Sequence, residues 1–332
     1  MMSNYKLLFF STLMISTLIT MSANSWLGIW LGLEINLLSM IPLMKTKSNM
    51  ASAEASIKYF ITQALASTIL LMTSIIMLKW ISKQTGFNMM IQTALLIKMG
   101  AAPFHFWFPE VINGLSWINA LLILTWQKMA PLIIITYTNM TIMFTVIIIV
   151  CSTLVSGVIG LNQTSLRKIM AYSSINHVAW MLASIMISDS MWKYYFVIYT
   201  IISINIVTTF ILTNTFLMSQ ALMSNINKMK KTMFMVNFMS LGGLPPFLGF
   251  LPKWLVIQAM VENSLVILIL LMVIMTMIPL FYYTRIMMSA LIINHQSSNL
   301  LITLETNSFT LILTNLMTLM GLIFSTSLYT YL

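Results

Sequence analysis

Residues 242–254 read GGLPPFLGFLPKW: three glycines, three prolines and then a lysine, Lys253, in a chain of which only 7% is charged. Apolar runs flank the stretch on both sides, so it lies inside an apolar segment and not in a solvated loop. The chain has 332 residues, 59% of them hydrophobic, with a mean hydropathy of +0.95. Its apolar runs, about 17 to 27 residues each, are long enough to cross roughly 30 Å of hydrocarbon as helices, and they lack the alternation of membrane strands. The composition therefore gives an all-α membrane protein and excludes a soluble enzyme domain.

Eleven spans are expected, over about 5–22, 26–44, 56–78, 89–108, 117–137, 141–161, 166–187, 193–218, 233–260, 264–287 and 308–331. The first could be a signal peptide behind Lys6. The small-residue site after it (Ser22, Ala23) is weak and runs straight into the next span, so it reads as a retained helix. One cysteine, Cys151, leaves no disulfide framework and no cysteine metal site within the chain.

If loops alternate sides, the side of the N-terminus carries Lys6, Lys45, Lys47, Lys58, Arg167, Lys168, Lys228, Lys230, Lys231 and Arg285, against Lys79, Lys83 and Lys193 on the other. That bias places the N-terminus inside and the C-terminus outside. The net charge of +10 then reports topology and not nucleic-acid binding. Of the 16 Lys and Arg, the census leaves Lys98, Lys128 and Lys253 in no loop. Glu34 likewise lies roughly 12 Å into the second span, counting 1.5 Å per residue. At about 2.5 to 3.5 kcal/mol per ionised side chain at a helix centre, these four groups cost roughly 10 to 14 kcal/mol before water or pairing offsets it. Snorkelling lysines and one structural ion pair are the bland alternative, but snorkelling works near helix ends and three lysines would share one carboxylate. Charges facing a hydrated interior are the better reading.

The opening stretch has a twin. GAAPFHFWFP (100–109) and GLPPFLGFLP (243–252) share the pattern G-x-x-P-F-x-x-x-x-P and fall in the fourth and ninth spans. An offset of five helices makes the two run in opposite directions, the mark of an inverted-topology repeat. Repeat one is expected over about 5–137 and repeat two over about 141–287, with an extra helix at 308–331. Proline removes a backbone donor and glycine permits non-helical angles, so each copy breaks its helix and frees polar backbone at depth. A lysine beside such a break has hydrating partners, which suits it to carry a proton; a mere packing kink is the alternative.

Six stretches carry a family resemblance: LGLEINLLSMIPL (31–43), EASIKYFITQALAS (54–67), KMGAAPFHFWFPEV (98–111), LILTWQKMAPL (122–132), GLNQTSLRKIMAYSSINH (160–177) and LGGLPPFLGFLPKW (241–254). Together they resemble the chain 2 family of mitochondrial NADH:ubiquinone oxidoreductase, respiratory complex I. The 33 methionines also suit a mitochondrially encoded chain. The resemblance implies an antiporter-like, proton-pumping subunit of the membrane arm in the inner mitochondrial membrane. Its bacterial counterparts usually have fourteen helices, the animal chains three fewer. The family's carboxylate maps to Glu34, its broken-helix lysine to Lys98, its central lysine to Lys128 and its far-side group to Lys253. It further implies that NADH, FMN, iron–sulfur clusters and ubiquinone belong to partner subunits. This chain itself would hold no cofactor, metal, nucleic acid or small-molecule substrate, and would touch other membrane-arm subunits and lipid.

His177 sits beside Tyr172, Ser173, Ser174 and Asn176, a polar stripe unusual for lipid contact, and is a candidate for the hydrated axis; His105, in the first break, is a second. His295 reads as a solvated loop residue, and Trp26, Trp80, Trp107 and Trp192 as interfacial anchors. A freestanding cation/proton antiporter and a purely structural subunit are the other function classes. The first is expected to carry more intramembrane acid than Glu34, and the second needs no lysine line. The charge bias also makes a prediction: a tag after Leu332 should be reachable from the intermembrane space in intact mitoplasts, and the Lys228–Lys231 loop cut only from the matrix. The opposite labelling overturns the orientation and the helix count together.

Overall fold

The computed structural model describes residues 4–45, 49–79, 84–223 and 236–292. The expected eleventh span, the lysines at 47, 83, 228, 230 and 231, and Trp80, His295, Glu305 and Leu332 lie outside the described residues. Helices run in the order α1 (Asn4–Ser22), α2 (Trp26–Met44), α3 (Met50–Lys79), α4 (Gln84–Met99), α5 (Trp107–Gly114), α6 (Trp117–Leu124), α7 (Trp126–Tyr137), α8 (Ile142–Leu161), α9 (Leu166–Ile185), α10 (Met191–Thr213) and α11 (Met218–Met223), then α12 over 236–242, α13 (Phe250–Glu262) and α14 (Val266–Ile292). Among the described residues there is no strand, only an isolated bridge between Ser165 and Leu217.

Seven stretches among the described residues are helical, long and apolar enough to cross a membrane, with α6 and α7 counted together. The remaining expected spans are the two broken helices, α4/α5 and α12/α13, and α9, whose run of buried polar side chains lowers its hydropathy. Helix α3 has 30 residues, about 45 Å at 1.5 Å per residue, and overruns the hydrocarbon. The helix begins six residues before the expected start at 56, so Glu54 and Lys58 both lie in its first turns. Hydroxyls within the spans bond to carbonyls of their own helix three or four residues back, as Ser16 does to Leu13 and Thr153 to Ile149. These polar side chains thus cost little in an apolar setting.

The chain forms two compact units, divided between Ile148 and Ile149 within α8. In the first, α1 packs on α2, α2 and α5 on α3, and α4 on both α3 and α7. In the second, α9 packs on α10 and α13, and α13 also meets α10 and α14. Helix α9 is the axis of this unit, buried on all sides from Ile169 to Ile185.

The two breaks are built alike. Helix α4 ends at Gly100 (φ +72°) and α12 at Gly243 (φ +76°), both left-handed. Each closes with the same pair of bonds: Gly100 N–H to Ile97 and Ala101 N–H to Leu96, Gly243 N–H to Ser240 and Leu244 N–H to Met239. This is the glycine-terminated Schellman stop, so each half-helix ends as a helix in water would. The turn beyond repeats as well, with Phe104 N–H on Ala101 and Phe247 N–H on Leu244, then Phe108 N–H on His105 and Leu251 N–H on Leu248. All four bonds recur at the spacing that separates Gly100 from Gly243.

The second break returns so close to α12 that a β-carbon on Gly249 would fall on the Ser240 carbonyl oxygen. Gly249→Ala should therefore destabilise the fold by about 3 kcal/mol or more. Gly86→Ala, in open space on α4, should be neutral or stabilising by up to about 1 kcal/mol. The amount of assembled complex in each variant checks both; normal assembly of Gly249→Ala would contradict the close approach.

Candidate functional site

In the first unit Lys98 occupies the last turn of α4, just before the break, and is only 7% exposed. It lines a small polar cavity with Asn36 and Leu37 of α2, Tyr59 and Gln63 of α3, and Gln127 and Pro131 of α7. About 10 Å³ of that cavity is open to a water's centre, room for one water molecule. Gln63 Nε2 donates to the Lys98 carbonyl at 3.4 Å, and Gln127 Nε2 to Asn36 Oδ1 at 2.8 Å. Glu34 is near enough for its charge to act on Lys98, but the two form no ion pair. Its Oε2 is buried without a hydrogen-bond partner among the described residues. The ion pairs among the described residues are those of Lys58 with Glu54 (2.9 Å) and with Glu110 (2.6 Å), both exposed.

Lys128 is almost wholly buried on α7, with its ammonium 5.1 Å from the centre of the Phe108 ring at the start of α5. That contact brings it to the edge of the first break. Sequence reading missed a third interruption here: the fifth span is two helices, α6 and α7, parted at Thr125. Pro131 lies inside α7 and removes the N–H that would meet the Gln127 carbonyl, but Pro42 and Pro279 sit within unbroken α2 and α14, so proline alone does not signal the break. His105 is buried within the first break and bonds to the Pro103 backbone, so it holds the break's shape and does not line the Lys98 cavity.

In the second unit Lys253 lies in the first turn of α13, and its Nζ donates to the Gly242 carbonyl at 2.7 Å. That carbonyl is free because α12 stops at Gly243, which leaves its last carbonyls without a helical donor; Pro246, with no N–H, could not supply one either. Gly243 also leaves room for the lysine stem, since a β-carbon there would lie 2.7 Å from Lys253 Cδ. The ammonium stands 5.7 Å from the Trp180 ring centre on α9. One turn away on α9, His177 Nδ1 lies 2.9 Å from the Tyr195 hydroxyl, with its ring 4.9 Å from that of Tyr199. Ser173 and Ser174 donate to the Met170 and Ala171 carbonyls of their own helix and lie in hydrogen-bond reach of Tyr283 and Tyr199. Tyr282 and Tyr283 are in turn 3.4 Å apart at their hydroxyls. The expected polar stripe is thus the spine of a buried hydroxyl cluster. Tyr172 is buried on the same helix. The tyrosines of α10 and α14 went unread in the sequence, although Tyr195 and Tyr199, four apart, share a helix face.

Two tryptophans depart from expectation. Trp107 is buried, donates to the Ile97 carbonyl at 3.1 Å and packs edge-on against Tyr59 and Phe108, so it closes the first break; Trp192 is buried as well. Neither stands at a lipid interface, because the break and the start of α10 turn both inward. Among the described residues no three His, Cys, Asp or Glu side chains converge.

The chain matches, over residues 23–279, the family described as NADH:quinone oxidoreductase/Mrp antiporter, transmembrane region. It is 43% identical over 97% of its length to NADH-ubiquinone oxidoreductase chain 2 of Locusta migratoria, covering 96% of that chain. It is 48% identical to the chain 2 protein of Aedes aegypti, with 97% of both chains covered. Its fold is similar to that of a chain in respiratory complex I from Thermus thermophilus, with a TM-score of 0.85 at 19% identity, covering 97% of this chain and 78% of that one. Broken helices, buried lysines and these likenesses together place the chain in the NADH:quinone oxidoreductase/Mrp antiporter transmembrane family, among the chain 2 proteins of NADH-ubiquinone oxidoreductase.

Proposed function

We propose that this chain moves protons across the inner mitochondrial membrane as an antiporter-like subunit in the membrane arm of NADH:ubiquinone oxidoreductase, with Glu34, Lys98, Lys128 and Lys253 as the groups that hold and pass them. The observation that carries the assignment is the contact of Lys253 Nζ with the Gly242 carbonyl inside a broken helix. A buried ammonium on a backbone oxygen has a partner while charged, and as a neutral amine it can still donate to that oxygen, so both protonation states are accommodated. Lys98 lines a cavity sized for one water, which offers its ammonium a partner of another kind.

In this reading the redox groups, NADH, FMN, iron–sulfur clusters and ubiquinone, are held by other subunits, and this chain binds those subunits and lipid. The N-terminus faces the matrix and the C-terminus the intermembrane space. The two breaks, which share four backbone hydrogen bonds at one spacing, support inverted repeats over about 5–137 and 141–287 with an extra helix at 308–331.

If Lys253 accepts and releases a proton, charge alone cannot replace it. Arginine keeps the charge but effectively never deprotonates, and methionine has neither property. Lys253→Arg and Lys253→Met should both lower proton uptake per NADH oxidised in sealed vesicles while the complex assembles. A Lys253→Arg complex with the parent ratio would contradict the role. Glu34→Gln should likewise assemble and pump less, since the field of a carboxylate on Lys98 is removed.

A further inference from the structure

The Lys98 cavity is closed on one side by a pair of amides that no charge census selects. Gln127 on α7 donates to Asn36 on α2 at 2.8 Å, and both line the cavity with Lys98. Helix α7 is interrupted just before Gln127, at Thr125, and Pro131 leaves the Gln127 carbonyl without its helical donor. Gln127 thus stands in the first turn of α7, beside the interruption, and directly precedes Lys128.

The chemistry of the pair is specific. A carboxamide offers one acceptor oxygen and two donor hydrogens, and does not change protonation state in this range. The bond to Asn36 uses one donor of Gln127 and engages the oxygen of Asn36. Gln127 Oε1 and Asn36 Nδ2 are left unspent among the described residues. One acceptor and one donor beside an ammonium, around space for one water, are what is needed to orient a single water on Lys98. Neither amide can carry the proton itself.

Resting on the reading of Lys98 as a proton carrier, we propose that Gln127 and Asn36 are positioning residues that form a gate: paired, they hold one water on Lys98, and when Gln127 turns off Asn36 that water is released with the proton it has taken. The step balances without a redox partner. The Lys98 ammonium gives a proton to the water, the water passes one on to the next water or base of the path, and Lys98 ends as the neutral amine. The charged or titratable neighbours of this turn are Lys98 on α4, Tyr59 on α3, Glu34 on α2 and Lys128 on α7 itself.

The experiment uses the assembled complex in sealed vesicles and reads protons taken up per NADH oxidised, with Lys98→Met as the internal standard. Asn36→Leu, Gln127→Met and the double variant should each fall to the Lys98→Met ratio and no further, because both residues serve one step. Gln127→Glu keeps the shape but, ionised, can pair only by accepting from Asn36 Nδ2, which spends the donor that would hold the water, and it should fall to the same ratio if the leucine or methionine variants do not assemble. An assembled Gln127→Glu or Gln127→Met complex at the parent ratio would overturn the gate and leave the pair a clamp between α2 and α7. A double variant that loses more than Lys98→Met would also overturn it. A Lys98→Met complex that keeps the parent ratio would sink the lysine reading on which the gate stands.

Discussion

A helix that stops inside a membrane leaves its last carbonyls without a helical donor, and nothing in the lipid replaces it. Lys253 is held by this constraint. The stop at Gly243 frees the Gly242 carbonyl, which receives the Lys253 ammonium. The stop at Gly100 likewise frees the carbonyl of Met99, next to Lys98 in the chain, and Pro131 that of Gln127, next to Lys128. Two problems, an orphan carbonyl and a buried charge, offset one another at one place. Glycine at positive φ makes the arrangement possible by ending the half-helix cleanly before the proline.

The two breaks share their backbone but not their chemistry. At the spacing that relates Gly100 to Gly243, Lys253 corresponds to Glu110, and Lys98 to Leu241. The lysines thus sit on opposite halves of their broken helices. Glu110, at the position equivalent to Lys253, is exposed and shares Lys58 with Glu54. A common turn has been supplied with different charges, so the backbone device is separable from the proton chemistry built on it. The first unit surrounds Lys98 with amides, Asn36, Gln63 and Gln127; the second sets Lys253 beside Trp180 and a cluster of hydroxyls on α9, α10 and α14.

Much of this was legible in the sequence. Apolar runs gave the helix positions to within a few residues, and the shared G-x-x-P-F pattern located both breaks, because length, glycine and proline act through the local backbone. The charge census found Glu34, Lys98, Lys128 and Lys253 because ionised groups are rare at such depth. What it could not find were neutral partners. Gln127, Asn36, Tyr195 and Tyr283 look ordinary in a sequence, and only tertiary packing sets them against a lysine, a serine or a histidine. Trp107 misled for the same reason: an indole near a span end is as common at the lipid interface as inside a break, and what decides is the carbonyl of Ile97 facing it. The break at Thr125 had no comparable signal, since Pro42 and Pro279 sit within unbroken helices.

The central claim is that the breaks hold hydrated lysines on freed backbone carbonyls. A density map of the intact complex, sharp enough to place water, tests it most directly. The account predicts Lys253 Nζ on the Gly242 carbonyl, and an ordered water in the Lys98 cavity within hydrogen-bond distance of Lys98, Gln127 and Asn36. Continuous helix through residues 243–249, or lysines turned out to the headgroups beside a dry cavity, would contradict it.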